Sequence, residues 1–147
     1  MLYQYINSVH SLCAYVVLIV LFLSSVNALV GFFTKKEFTV KDLRLSLFTL
    51  IFSHIQLLLG LLLYAVTPRL MTWQMGAKTV MKDSLLRQLL VEHPLMNIIA
   101  VTLITIGWVK HKKQTTNRGK FGKIAIFYTI ALVCLLSMIP WRLWWNF

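Results

Sequence analysis

The chain has 147 residues, of which 59% are hydrophobic and only 13% are charged, with a mean hydropathy of +0.75. Average soluble domains are about 45–50% apolar and about 25% charged, so this composition excludes an ordinary soluble fold. The formal net charge is +11, but the basic residues form short clusters between long apolar runs, as in membrane proteins with oriented loops. We therefore expect a multi-pass protein surrounded by a lipid bilayer, with no nucleic-acid partner.

The first predicted helix covers about residues 5–33. The sequence from Met1 to Thr34 contains no Lys, Arg, Asp or Glu, and its apolar run is long enough to cross about 30 Å of hydrocarbon. A cleaved signal peptide carries its positive charges before the apolar run, whereas Lys35 and Lys36 follow it here. This order predicts an uncleaved anchor with the N-terminus outside.

The second helix is predicted over about residues 40–67. Thr39 and Asp42 have the spacing of a capping box at its start, and Pro68 ends it. The connection from Arg69 to Lys82 follows on the outer side. It is the only connection long enough to form a lid or a short interfacial helix.

The third helix is predicted over 84–112, with Glu92, His93 and Pro94 in its first half, and the fourth over 120–140, where Pro140 ends it. These four spans use nearly the whole chain. The sequence therefore predicts an all-α membrane protein made of a single domain, 1–147, folded as an up-down bundle of four transmembrane helices.

Ten of the fifteen basic residues fall in the two connections that the positive-inside rule assigns to the cytoplasm. They are Lys35, Lys36, Lys41, Arg44, Lys110, Lys112, Lys113, Arg118, Lys120 and Lys123. The opposite side holds the other five: Arg69, Lys78, Lys82, Arg87 and Arg142. This asymmetry predicts that both termini lie outside.

Three histidines are expected at membrane depth, where an ionisable side chain needs a partner. Counting about 1.5 Å per residue from the cytoplasmic ends of the helices places His54 about 21 Å, His93 about 28 Å and His10 about 34 Å into the membrane. The simpler alternative for His54 is a neutral imidazole hydrogen-bonded to another helix. For His93 it is a polar residue at a helix entrance, and for His10 a residue at the wet outer interface. His111 lies between two lysines and is expected in a solvated loop.

Neutral histidines on facing helices of a bundle are common axial ligands of a haem. By depth, His93 is compatible with either His54 or His10, while His10 with His54 is the least favoured pair. The sequence contains no C-x-x-C-H motif, which excludes a covalently attached c-type haem. The prediction is a b-type haem with iron ligands among these three histidines.

Three further residues are candidates for the same site. Gly60 would let a flat ring approach the second helix, or would simply serve helix packing. Asn97 lies at nearly the depth of His54 and is a candidate to bond its second nitrogen, or to join two helices. Arg87, or alternatively Arg69, is a candidate to pair with outward-pointing haem propionates.

The stretches SVHSLCAYVVLIVLF, KKEFTVKDLRLSLFTLIFSHIQLLLGLLLYAVTP, MKDSLLRQLLVEHPLMNIIAVTLITIGWVKHKK and FYTIALVCLLSMIPW cover most of the chain. They resemble small four-span bacterial membrane proteins, mainly from Bacteroidota, that are catalogued as "cytochrome b". The resemblance implies a haem protein of the bacterial cytoplasmic membrane, with ligands among His10, His54 and His93. It implies electron transfer or haem holding, inside a larger assembly with other membrane subunits.

Two alternatives stay open. The chain is a haem-free structural or assembly subunit whose histidines join helices, or Glu92 with two or three histidines binds zinc or copper. A stand-alone enzyme is not expected, because the sequence offers no nucleophile and base pair, no phosphate loop and no soluble domain.

Overall fold

The computed structural model describes residues 1–145 of the chain. Within them, four helices are long and apolar enough to cross a membrane, at Leu2–Phe33 (α1), Val40–Val66 (α2), Ser84–Lys112 and Asn117–Met138. Their bounds lie within a few residues of the predicted helices 5–33, 40–67, 84–112 and 120–140.

The connection between α2 and the third span is also helical. Between α2 and the third span lie a 3-10 helix, Pro68–Met75, and a short α-helix, Ala77–Lys82 (α3). The third span is one turn of α-helix, Ser84–Arg87 (α4), a π-helical turn, Gln88–Glu92, and a long α-helix, His93–Lys112 (α5). The fourth span, Asn117–Met138 (α6), is followed by Trp141–Trp145 (α7).

The four long helices form a ring in which α1 packs on α2, α2 on α5, α5 on α6 and α6 on α1. Each pair is antiparallel. For α1 and α2, His10 contacts Gln56 at one end of the pair while Asn27 contacts Asp42 at the other. We call the end that carries the connections 34–39 and 113–116 the basic end, and the other, which carries the N-terminal end of α1 and the C-terminal end of α6, the terminal end.

The apolar core is shared by α1, α5 and α6. Its best-buried members include Leu21, Ile104, Phe121 and Tyr128, which are fully buried. The buried residues of α2 are all polar: Asp42, Ser46, Thr49, Ser53 and Gln56. Many apolar side chains of α2 are exposed on the outside of the bundle, among them Phe48, Ile51 and Leu58, as expected for a helix in contact with lipid, whereas Leu50 is partly buried against the core.

The predicted capping box at the start of α2 is confirmed. The Thr39 amide and hydroxyl both donate to Oδ2 of Asp42, at 2.8 and 2.7 Å. Lys36 Nζ and Asn27 Nδ2 each donate to Oδ1 at 2.8 Å. The carboxylate of Asp42, a residue only 2% exposed, is therefore fully hydrogen-bonded where α1 and α2 meet the basic end.

The prediction that His111 lies in a solvated loop is wrong. The residue belongs to the last turn of α5 and is 2% exposed, with Nδ1 2.6 Å from the carbonyl oxygen of Trp108. Its ring contacts those of Phe38 and Trp108. The flanking lysines do reach solvent, because adjacent residues on a helix point about 100° apart.

Candidate cofactor-binding site

A cavity of about 390 Å³ opens at the terminal end of the bundle. It is enclosed by the first half of α1, the second half of α2, the π-helical turn with the start of α5, and the end of α6. Its volume lies within the range of about 300–1,000 Å³ that is typical of cofactor and ligand sites. The lining is mostly aliphatic, with a few polar groups that converge from different helices.

Two of those polar groups are the imidazoles of His10, on α1, and His93, on α5. Both are partly buried, and they face each other across the bundle with ring centroids 6.3 Å apart and ring planes at 82°. The two helices that carry them lie diagonally opposite in the ring of four. This is therefore the point where the cavity spans the interior of the bundle.

The orientation of His93 is fixed by the end of α6. Its Nδ1 lies 3.0 Å from the carbonyl oxygen of Met138, the last residue of α6. The last carbonyls of a helix have no partner within that helix, and Pro140 prevents α6 from continuing. With Nδ1 donating to this carbonyl, Nε2 carries the lone pair, which is the tautomer that a metal requires.

His10 is held by α2. Gln56 Nε2 donates to the carbonyl oxygen of His10 at 2.9 Å and lies 3.2 Å from its Nδ1. Gly60 lies one turn further along the same face, and a Cβ atom there would be 3.2 Å from Cε1 of the His10 ring. The absence of a side chain at Gly60 thus makes room for this imidazole.

The third span changes helix type immediately before His93. A π-helical turn has one more residue than an α-helical turn, and such turns are frequent at functional sites. Here Pro94 is the second residue after the π-helical turn, directly following His93, and it has no N–H to donate. The turn and the proline together set the direction in which His93 leaves the helix.

The mouth of the cavity carries one fixed cation. Arg69 lines the cavity and donates from Nη1 to the hydroxyl oxygen of Tyr3 at 2.8 Å. Arg87, the other residue that the sequence suggested as a partner for haem propionates, does not line the cavity. It donates to Glu92 Oε1 at 2.8 Å and to the carbonyl oxygen of Met81 at 2.9 Å.

His54 is placed on the outside of the bundle. The residue is exposed, its Nδ1 lies 2.8 Å from the carbonyl oxygen of Leu50, and its Nε2 lies 3.4 Å from the hydroxyl of Thr105. Asn97 lines the cavity but donates to the carbonyl oxygen of His93, one turn earlier, at 2.6 Å. The structure therefore groups His10, His93, Gly60 and Asn97 around one cavity, and leaves His54 and Arg87 outside it.

The contact of the Met138 carbonyl with His93 was not predicted from the sequence, and neither were the contacts of Tyr64 and Tyr3. A backbone acceptor gives no signal in side-chain patterns, although Met138 directly precedes the Ile139-Pro140 pair that ends the fourth helix. Tyr64 follows Gly60 by one turn on α2, so its position near the cavity is deducible from that spacing.

The cavity offers two histidine nitrogens as candidate metal ligands, one from His10 and one from His93. Across residues 1–145, no group of three or more His, Cys, Asp or Glu side chains is positioned to hold a metal ion. Structural zinc sites use four protein ligands and catalytic sites use three. Two opposed imidazoles instead fit an iron whose other four ligands belong to a macrocycle.

Comparison with protein-family models, with curated proteins and with solved structures found no match.

Proposed function

We propose that the protein binds one b-type haem between His10 and His93 and acts as a membrane cytochrome subunit that transfers or holds one electron. The observation that carries the proposal is the 6.3 Å between the two ring centroids. A metal–nitrogen bond to histidine is about 2.0 Å, so two imidazoles on opposite faces of one iron have ring centres about 6 Å apart.

The surrounding residues support this assignment. The Met138 carbonyl holds the Nδ1 proton of His93, which leaves Nε2 for the iron, and Gln56 holds the backbone of His10 in place. Gly60 leaves space beside the His10 ring. Arg69 supplies positive charge at the cavity mouth, and we assign it the haem propionates in preference to Arg87, which is paired with Glu92.

When bound, the haem would supply one-electron oxidation and reduction. The chain's own residues would keep the iron coordination closed, exclude water with the aliphatic cavity walls and hold the propionate charge at the mouth. Two histidine ligands leave no open position for a substrate, so electron transfer is favoured over catalysis by this chain alone. The redox partners would be other subunits in the same membrane.

The same proposal places the protein in a bacterial cytoplasmic membrane with both termini outside. The basic end carries Lys36 in its first connection and Lys113 in its second, and the positive-inside rule assigns that end to the cytoplasm. The cavity then lies in the outer half of the membrane. A redox partner would approach from the outer side or through the lipid.

The test is the absorption spectrum and iron content of protein purified in detergent from cells supplied with haem. We expect about one haem per chain and the sharp reduced bands of a low-spin iron with two nitrogen ligands. A colourless protein that contains zinc or copper would support the metal-ion alternative. A colourless protein without metal would support the structural-subunit alternative.

A further inference from the structure

The buried face of α2 is the least expected feature of the bundle. Asp42, Ser46, Thr49, Ser53 and Gln56 follow one another at intervals of four, three, four and three residues, which places them on one side of a helix. Each is at most 8% exposed. In a membrane protein whose apolar side chains face lipid, a polar face of this length is costly unless its groups are hydrogen-bonded.

Several of these groups have no protein partner. Among the described residues, no hydrogen bond is made by the side-chain oxygens of Ser53 and Gln56 (Oε1), nor by those of Ser24 and Ser25, which α1 buries in the half of the bundle nearer the basic end. All four residues are at least nine-tenths buried. Buried unsatisfied polar groups are rare in proteins and commonly mark the position of ordered water.

The spacing suits water. From Asp42 to Gln56 the helix rises about 21 Å, so neighbouring polar groups are separated along the axis by about 4.5–6 Å. One water molecule that makes two hydrogen bonds of about 2.8 Å spans about 5.6 Å. Single bridging waters from Ser46 to Gln56 would therefore form a continuous file. It would end beside the Asp42 carboxylate, whose oxygens already accept four hydrogen bonds.

The two ends of the file differ in chemistry. At the basic end stand Asp42 and Lys36, and the ammonium group of Lys36 reaches solvent, with its side chain 44% exposed. In the middle the phenol of Tyr128, on α6, donates to the carbonyl oxygen of Ser46 at 2.9 Å. At the other end Gln56 contacts His10, with His93 opposite. The file thus connects an ion pair at the surface to the cavity.

We propose that this seam, formed by the Asp42-to-Gln56 face of α2 with Ser24 and Ser25 of α1, holds a file of water molecules that conducts protons from the basic end to the cavity. The claim that the seam holds water does not depend on the proposed function. The claim that this water conducts protons rests on it. An electron that an external one-electron reductant delivers to the cavity adds one negative charge there. One proton taken from water at the basic end, which leaves hydroxide there, balances it. Each water and hydroxyl along the file accepts one proton and passes another to the next, and the last proton would be held on a haem propionate in the cavity.

The claim that the seam holds water is tested without haem, by water-edited solid-state NMR of the protein in lipid bilayers. Polarisation from water should reach Ser24 and Ser53 nearly as fast as it reaches Thr115, in an exposed connection, and several-fold faster than Thr102, whose exposed side faces lipid. Transfer to both serines as slow as to Thr102 would show a dry seam and overturn the proposal.

The claim that this water conducts protons is tested with haem-loaded protein in liposomes that carry a pH dye on one side. Reduction by dithionite should take up protons from the side of the basic end, and Ser53→Val and Thr49→Val should each slow that uptake at least tenfold. The control is Thr102→Val, which removes a lipid-facing hydroxyl and should leave the rate unchanged. Uptake from the terminal end only, or at an unchanged rate in both seam variants, would overturn conduction. A colourless protein would instead contradict the proposed function, while the NMR result still decides whether the seam is wet.

Discussion

The hydroxyl of Tyr64 donates to the carbonyl oxygen of Leu90 at 3.1 Å, joining α2 to the π-helical turn. Leu90 precedes Pro94 by four residues, so its carbonyl is the one that an N–H at position 94 would bond in a regular α-helix. The partly buried tyrosine thus compensates for the proline at the point where the third span is irregular, three residues before His93.

Replacing Tyr64 by Phe should therefore destabilise the bundle by about 1 kcal/mol, since it removes one partly buried hydrogen bond and no packing volume. The free energy of unfolding in mixed micelles measures this loss. Tyr5→Phe is the matched control, because Tyr5 is 72% exposed. Equal stability of the two variants would show that the Leu90 carbonyl does not depend on Tyr64.

The Asp42 carboxylate should contribute more to the free energy of unfolding than the Tyr64 hydroxyl does. It accepts from Thr39, Lys36 and Asn27, and Asp42→Asn would replace charge-assisted bonds with weaker ones and leave one amide hydrogen facing a donor. We expect a loss of about 1.5–3 kcal/mol in unfolding free energy.

The control for that variant is Asp83→Asn. Asp83 is an exposed helix cap that accepts from the amides of Leu85 and Leu86, and asparagine caps helices about as well as aspartate. It should change stability by a few tenths of a kcal/mol at most. A loss at Asp83 as large as at Asp42 would contradict the importance assigned to the buried carboxylate.

A substitution at Gly60 tests whether haem binding needs the space beside the His10 ring. Gly60→Val would place its Cβ 3.2 Å from Cε1 of the imidazole and add two methyl groups, so the ring must move. We expect haem affinity to fall at least tenfold, measured by titration of the apoprotein. Gly122→Ala is the control, since its Cβ meets Phe32 at 3.1 Å, near the basic end, and it should leave haem affinity unchanged. A wild-type affinity in Gly60→Val would place the cofactor elsewhere.

The orientation of the bundle is tested by cysteine labelling. Met75→Cys and Thr115→Cys each place a thiol on an exposed connection, at opposite ends of the molecule, after Cys13 and Cys134 are replaced by alanine. Thr115 is preferred to Thr116, whose hydroxyl caps α6. In intact spheroplasts a membrane-impermeant maleimide should label position 75 and not 115. The reverse pattern would place the cavity in the cytoplasmic half of the membrane.

Much of the fold was predictable because the physical signals are local. The charge-free runs give the spans, Pro68 and Pro140 end two of them, and Thr39 with Asp42 marks the start of α2. The π-helical turn was not predicted, since Pro94 shows that one backbone hydrogen bond is lost but not which helix type replaces it, and the partner Tyr64 comes from another helix. The break at Ile139 and Pro140 was placed correctly, but its use as an acceptor for His93 depends on tertiary structure.

The depth of the candidate site in the bundle was predictable from the sequence. The direction in which each histidine points around its helix axis was not. Counting residues along each helix left His93 compatible with either His54 or His10, because the count ignores the direction in which each side chain points. The polar series on α2 contained that information. Ser53 belongs to the buried face, and the next residue, His54, points about 100° away from it, toward the outside.

His10 and His93 are the proposed axial pair, and three alanine variants test this assignment. Reduced-minus-oxidised spectra of purified His10→Ala, His93→Ala and His54→Ala should be compared at equal haem supply. We predict that His54→Ala keeps the low-spin spectrum with full haem content, whereas His10→Ala and His93→Ala each give a high-spin, five-coordinate haem or none. A low-spin spectrum in His10→Ala, together with loss of that spectrum in His54→Ala, would contradict the assignment of His10 and His93 as the axial pair.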